Sequence, residues 1–308
     1  MSPEKAEKVT VRVGNRELTL SNLSKVLYPD VGFAKGQVID YYTRIAPAML
    51  PHLKDRPLTL KRYPDGVDGK FFFEKNSPEH RPPWVKTVRL PSPGSTKNRS
   101  EIDYTVVNDL PTLVWAANLA TLESHVPMWR ATKAGKPKNP DTLVFDLDPG
   151  PPATIVECCH VAQLVRDELA EDGLSAYPKT SGSKGMQLYV PLNARSGWEK
   201  VHAYSRKVAE RLDESHPDLV VSNMKKDLRG GKVLVDWSQN NAAKTTIAVY
   251  SMRARTRPTV STPITWDEVE ACEQPDDLVF VTDDVLARVD KHGDLFESVL
   301  KGGQSLPK

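Results

Sequence analysis

Three carboxylates stand where a folding chain rarely places them. In FDLDPG, Asp146 and Asp148 lie two apart at the end of an apolar run. An extended chain turns both to one face and Leu147 to the other. In VLVDWSQN, Asp236 follows three aliphatic residues. A carboxylate inside an apolar strand is expensive to bury unless it is paired or holds a metal. Two such groups on one face can converge on one or two hard cations, and a third completes the ligand set of a two-metal phosphoryl-transfer site. There one cation acidifies an attacking hydroxyl and the other holds a polyphosphate. The plain alternative for an isolated Asp-x-Asp is a strand that runs into an Asp-capped turn.

The stretch KTSGSKGMQLYVPL, residues 179 to 192, supplies the complementary charge. It is not a Walker A loop, which needs four residues between its glycines and then Lys-Ser or Lys-Thr. For an isolated Gly-Ser-Lys-Gly the ordinary reading is a hairpin turn. Beside the carboxylates, Ser181, the amides around Gly182 and Gly185, and Lys184 could hold a triphosphate as a backbone nest with a point charge. Gln187 alternates onto the same face as Gly185, which directs it toward the nucleotide rather than a core.

These residues need strands to carry them. TLVFDLDP, the halves of KTSGSKGMQLYVPL, VLVDW (233 to 237) and TTIAVYSMRA (245 to 254) read as strands, and IVECCHVAQLVRDELAE and residues 198 to 214 as helices. Upstream, residues 9 to 20 alternate around Gly14-Asn15 as a hairpin. Asn22 is placed as a helix cap, and Val38, Tyr42, Ile45 and Met49 recur at helical spacing before Pro51. PLTLKR (57 to 62) is a strand, KFFFEK (70 to 75) is short and aromatic, and LPTLVWAANLATLES (110 to 124) reads as a buried helix. Residues 83 to 99, 130 to 138 and 225 to 232 are basic loops. The interleaving of strands and helices without a repeat predicts an α/β or α+β fold.

Composition bounds the rest. The 308 residues are 39% hydrophobic and 27% charged, as in an ordinary globular chain. The formal charge of +2 divides into +9 over residues 1 to 266, −9 over residues 267 to 297 and +2 from Lys301 and Lys308, so a basic body precedes an acidic helical tail. A basic body suits a polyanion such as nucleic acid, although a solvated basic face is equally ordinary. The N-terminus MSPEKAEKVT has no apolar signal region and no stretch is long enough to span a bilayer, so a cytoplasmic, nucleoid-associated protein with no membrane partner is expected. Cys158, Cys159 and Cys272 form neither a disulfide framework nor a zinc ribbon.

With VFDLDPG, KTSGSKG and VLVDWSQNN followed by KTTIAVYSMRAR in this order, the chain resembles the polymerase domain of bacterial ligase D, in the archaeo-eukaryotic primase superfamily. LSNLSKVLYPD, PLTLKRYPDGVDGKFFFEK and LESHVPMWR extend the resemblance over nearly the whole chain. It implies a primase-like core with mixed or antiparallel central sheets flanked by helices. The whole would be one domain over 1–308: a DNA-end and base-stacking part (1–125), a catalytic core (126–262) and the acidic tail (263–308).

The resemblance also implies roles. Asp146, Asp148 and Asp236 match carboxylates that bind two divalent ions, manganese favoured and magnesium an alternative. Ser181 and Lys184 match nucleotide-binding positions. Lys61, Gln239 and Arg253 match polar residues near the triphosphate or primer, and His125 a histidine of the nucleotide pocket. Phe72 and Phe73 match paired phenylalanines that stack on a base. Asn22, Lys25 and Lys35 match a pocket for the 5′-phosphate across a DNA gap, Lys35 lying at the start of a helix that would favour an anion. The loops at 86 to 99 and 225 to 232, the latter with Arg229, match two template-handling loops. Each has an ordinary alternative: core for the aromatics, a structural histidine, a helix cap for Asn22 and solvated charge for the lysines and arginines. At Gln187 the family pattern has histidine, and glutamine offers a neutral amide where histidine can carry charge.

The expected activity is metal-dependent, template-directed extension of a primer 3′-hydroxyl at gaps or broken ends, with ribonucleotides preferred over deoxyribonucleotides. Expected partners are 5′-phosphorylated DNA ends, nucleoside triphosphates, a separate DNA ligase and a Ku-like end-binding protein. A rival from another class is a DNA-end-binding module inactivated by Gln187; the intact carboxylates argue against it. An ATP-dependent ligase would need Lys-x-Asp-Gly, and KRYPDG has the wrong spacing.

Overall fold

The computed structural model describes residues 7 to 91, 100 to 132 and 134 to 307. The chain opens with the expected hairpin, β1 (Lys8–Val13) and β2 (Arg16–Ser21), turning through Gly14 at φ +59. A short pair, β3 (Val26–Tyr28) and β4 (Phe33–Ala34), leads into α1 (Lys35–Leu53). Asn22 therefore caps no helix. It follows β2 in the left-handed region at φ +54, and Ala34 begins α1, its amide bonded by the Gln37 side chain at 2.8 Å. The helix also continues through Pro47 and Pro51. Each proline removes a helix hydrogen bond, but Tyr41, Tyr42, Ile45 and Met49 anchor the same turns in the core.

β5 (Pro57–Arg62), β6 (Phe72–Glu74), β7 (Thr87–Pro91) and β8 (Glu101–Val106) follow. The loop expected over 83 to 99 is thus partly strand, and its residues 92 to 99 lie outside the described residues, as does Lys133 of the loop at 130 to 138. The helix expected over 110 to 124 is two elements, α2 (Leu110–Asn118) and β9 (Thr121–Val126). Ala120 at φ +57 makes the break, and pairing with β5 holds the second half extended.

The second half runs β10 (Thr142–Pro149), α3 (Ile155–Glu171), β11 (Tyr177–Thr180), β12 (Met186–Pro191), α4 (Trp198–Ser215), β13 (Val220–Val221), β14 (Val233–Asp236) and β15 (Thr246–Ile247). The strand expected over 245 to 254 is confined to β15, because Tyr250 at φ +64 turns the chain away from the ladder. The acidic segment forms α5 (Trp266–Glu270), α6 (Thr282–His292) and α7 (Glu297–Lys301).

Two sheets carry the fold. One has the order β11-β12-β10-β14-β13, antiparallel except for the parallel pair β13 and β14; the other has the order β15-β9-β5-β8-β7, with β6 also on β5. Alternation along β10 divides its side chains between two cores. Leu143, Phe145 and Leu147 join Val161 and Val165 of α3 and Val201 and Val208 of α4. Val144, with Tyr189 opposite it on β12, joins Leu60, Leu122, Val126 and Phe296. Full burial of such side chains contributes about 1.5–3 kcal/mol each, which pins the strand on both faces. The mixed α/β architecture with helix-flanked sheets is the one expected. The three cysteines are buried and free. Among the described residues, no helix is long and apolar enough to cross a membrane.

Candidate active site

Asp146 and Asp148 occupy the face of β10 that Val144 also uses, toward the second sheet. Pairing sets their neighbours: Asp146 lies opposite Gln187 of β12 on one side and opposite Asp236 of β14 on the other. The carboxyl of Asp146 is pushed up to about 7, first by burial and then by repulsion from Asp148 and Asp236. Asp148 is also raised, by burial and by Asp236, with Arg229 and Arg253 opposing. Neither Asp146 nor Asp148 forms an ion pair among the described residues.

This donor set suits a hard cation in kind, since two crowded, unneutralised carboxylates are what a divalent ion would relieve. In this conformation, however, no three Asp, Glu, His or Cys side chains among the described residues are gathered to hold a metal ion. Asp236 is engaged by its own turn. Its Oδ1 accepts from the Ser238 amide and hydroxyl at 2.8 and 2.6 Å, and its Oδ2 from Gln239 at 2.9 Å. Gln239 is thus bound to Asp236.

The loop between β11 and β12 lies against the end of β10. A Cβ on Gly185 would stand 2.0 Å from the Leu147 carbonyl oxygen, so only glycine permits this approach. The loop is closed on itself: the amides of Ser183 and Gly185 donate to Ser181 Oγ at 3.2 and 3.3 Å. The Gly185 amide, expected in an open nest, therefore serves the turn instead. Lys184 is exposed and makes no side-chain hydrogen bond or ion pair among the described residues. Beside it opens a cavity of about 340 Å³ lined in part by Gly182, Ser183, Lys184 and Thr154.

Gln187 is the chief departure from expectation. It is buried, donating to Asp146 Oδ1 at 3.1 Å and accepting from Lys179 at 2.7 Å. It faces the carboxylate row, with both ends of its amide bonded to neighbours in the sheet.

Across from this row, the second sheet gathers cations around Glu123 of β9. The pairing sets Phe73, Lys61 and Glu123 side by side, with His125 two residues on. Glu123 is buried and receives His125 Nε2 at 3.0 Å, Lys61 Nζ at 3.5 Å and Arg253 Nε at 3.5 Å. Burial alone would raise its carboxyl, but the His125 hydrogen bond and the charges of Arg253 and Lys61 prevail and hold it at about 2. His125 is held below its ordinary value, first by burial and then by Arg253 and Lys61 against the pull of Glu123, so it donates as a neutral ring. Arg253 also donates to the Ser181 carbonyl at 2.8 Å, tying the loop to the second sheet.

Phe72 and Phe73 point to opposite faces. Phe73 lies with His125 and Phe71, ring centroids 6.0 Å apart in each case, whereas Phe72 covers Arg62 at 5.0 Å. Phe71, Phe72 and Phe73 are 50%, 43% and 56% exposed, so none of them is core. Sequence reasoning missed Phe71 and Tyr63, whose rings lie 4.4 and 5.2 Å from Lys61 Nζ, and it missed Glu123 and Lys179. The Glu-x-His alternation in LESH was the available signal for Glu123.

The remaining sites are separate. Lys35 at the start of α1 is buried and donates to the Ser21 carbonyl at 2.6 Å, and its own amide donates to the carbonyl of Lys25 at 2.8 Å. Burial, then Lys25 and Arg62, lower its ammonium to about 8. Lys25 pairs with Asp65 at 2.9 Å, and its amide donates to the Asn22 carbonyl at 3.1 Å, so the three residues share one corner. Arg229 is half-buried, donates to the Met224 carbonyl at 2.7 Å and acts electrostatically on Asp148; it is not a freely extended loop cation.

Residues 34–296 match the family described as LigD, primase-polymerase domain. The chain belongs to that family. Its fold matches the polymerase domain from Mycobacterium tuberculosis ligase D in complex with DNA, with a TM-score of 0.86 and 41% identity over 93% of this chain and 99% of that one. The multifunctional non-homologous end joining protein LigD of Mycolicibacterium smegmatis is 44% identical over 277 residues, which is 90% of this chain and 35% of that protein. The LigD of Mycobacterium tuberculosis is 43% identical over 287 residues, 92% of this chain and 37% of that protein. The chain thus spans little more than a third of these relatives. Membership in the LigD primase-polymerase family bears out the resemblance read from the motifs and places the chain among nucleotidyltransferase enzymes.

Two outcomes follow from the electrostatics of this domain. Because Asp146 and Asp148 are both raised in the folded state, their contribution to stability is full below the ordinary carboxylate range and is lost as pH rises, through about 7 for Asp146. In chelator, Asp148→Asn is expected to raise the melting temperature by about 2–4 °C at pH 8 and to change it little at pH 4; equal shifts at both would contradict the repulsion. Glu123→Gln removes the charge that offsets Lys61 and Arg253, and urea denaturation should show a loss of about 3–5 kcal/mol. A loss near zero would mean that the cations do not depend on Glu123.

Proposed function

We propose that this domain is a template-directed polymerase of end joining, which extends a primer 3′-hydroxyl across gaps or broken ends bearing a 5′-phosphate, with ribonucleotides preferred. The observation that carries it is the row formed by Asp146 and Asp236 on neighbouring strands, with a glycine-tightened cationic loop against the end of the same strand. Asp146, Asp148 and Asp236 would hold two divalent ions, manganese favoured, which supply Lewis acidity to the attacking hydroxyl and the departing pyrophosphate. Lys184, without a side-chain partner among the described residues, is available to the polyphosphate, and Arg253 is held by Ser181 and Glu123. Lys61 and neutral His125 offer donors on the same side, and Phe73 an exposed ring for the base. At the start of α1, Lys25 and Lys35 supply cations for a 5′-phosphate, and after burial the charges of Lys25 and Arg62 add to the lowering of Lys35. Arg229 and the two basic loops suit template phosphates, which gives binding that falls with salt and reads little sequence. A separate ligase and a Ku-like protein are the partners suggested by the end-joining names of the relatives.

Primer extension on 5′-phosphorylated gapped DNA, run with manganese or magnesium and with both nucleotide types, tests this. Extension is expected with manganese and ribonucleotides; end binding without extension at any nucleotide concentration would overturn the polymerase reading. Asp146→Ala with Asp148→Ala should abolish extension and leave end binding in place, and residual synthesis would remove the metal assignment. The 5′-phosphate preference should decline as pH rises through about 8, where Lys35 loses its proton. Lys25→Ala with Lys35→Ala should erase that preference, and an unchanged preference would displace the pocket.

A further inference from the structure

Four side chains form one row across the first sheet. Lys179 of β11 lies opposite Gln187 of β12, Gln187 opposite Asp146 of β10, and Asp146 opposite Asp236 of β14. Lys179 is 0% exposed and Gln187 3%. Nothing in the polymerase reading uses Lys179, yet a buried lysine is seldom kept without a partner. Its Nζ donates to Gln187 Oε1 at 2.7 Å and to Ser261 Oγ at 2.6 Å, and Ser261 donates onward to the Thr180 carbonyl at 2.8 Å.

The chemistry of the donors fixes the direction of this chain of bonds. A lysine amine bound in this way presents hydrogens, so the Gln187 oxygen must face it. The amide nitrogen is then turned to Asp146, where it donates to Oδ1 at 3.1 Å. Flipping the amide would set its hydrogens against those of Lys179 and its oxygen against a carboxylate. Glutamine here can therefore take only one orientation, set from behind by Lys179.

We propose that Lys179 is a positioning residue that acts through Gln187 to orient the Asp146 carboxylate, with Oδ1 held by the amide and Oδ2 left for a divalent cation. The inference rests on the metal assignment made for Asp146. It also accounts for the departure from the family histidine: a neutral imidazole accepts at one nitrogen and donates at the other, so it satisfies the same two neighbours. Methionine fills the space and does neither.

The test is binding of Mn2+ to the intact protein without DNA or nucleotide, followed by the electron paramagnetic resonance signal of the free ion. Partners behind a metal ligand commonly change affinity by about 10–100-fold. Gln187→Met and Lys179→Met should each weaken Mn2+ binding by about tenfold or more, with the double variant no weaker than the worse single one. Gln187→His should restore binding close to that of the unaltered protein. Melting in chelator checks folding, and if Gln187→Met fails to fold, Gln187→Asn, too short to span both neighbours, takes its place. Unchanged binding in both single variants, additive losses in the double, or a histidine variant as weak as methionine would each overturn the relay. Absence of Mn2+ binding by the unaltered protein would overturn the metal assignment, and the relay with it.

Discussion

A pleated strand shows each face only every second side chain, and β10 divides its residues on that rule. Phe145 and Leu147 are locked into the core beneath α3 and α4, and Val144 into the core shared with the second sheet. Asp146 and Asp148 are consequently held together on one face even though their charges repel. Apolar packing on both sides of the strand supplies what that repulsion takes away. A site of this kind is preorganised by its core, and a one-residue slip of register would bury both carboxylates among valines and leucines.

The second sheet answers with the opposite arrangement, one buried anion among several cations. Glu123 holds Lys61, His125 and Arg253 within 3.5 Å, and its low carboxyl range shows that the His125 hydrogen bond and the charges of Arg253 and Lys61 prevail over burial. Arg253 then reaches the carbonyl of Ser181 on the other sheet, while Thr259 donates to the neighbouring Gly182 carbonyl at 2.7 Å. The loop beside the carboxylates is thus positioned by the charge balance of a strand from the opposite half of the fold. Disturbing Glu123 would reach the loop through Arg253 without any contact between them.

How much of this could be read in advance depends on the periodicity of each stretch. FDLD and VLVD declare their faces by alternation, and the mixed architecture was legible from the succession of strands and helices. The LigD family was legible because several motifs stand in order. Residues 110 to 124 misled because their first half is as apolar as a buried helix, and only the pairing of Glu123 with Lys61 reveals the strand. Gln187 and Lys179 misled for a different reason. Polar side chains on a strand ordinarily mark a solvated face; here Ser261, 82 residues away, takes a hydrogen bond from Lys179, and Lys179 in turn binds Gln187. Local pattern holds no trace of that contact.

The hairpin of β5 and β6 shows how the same pleat separates two functions. Lys61 pairs with Phe73, and Arg62 with Phe72, so consecutive pairs must face opposite ways. On one face Lys61 meets Glu123, and through it the side of the site assigned to the nucleotide. On the other, Arg62 lies beneath Phe72 and, after burial and Lys25, adds to the lowering of Lys35. Were the two phenylalanines a single platform on one base, the strand would have to abandon its pleat. Their divergence instead gives Lys61 and Arg62 each their own exposed ring, on opposite faces of one hairpin.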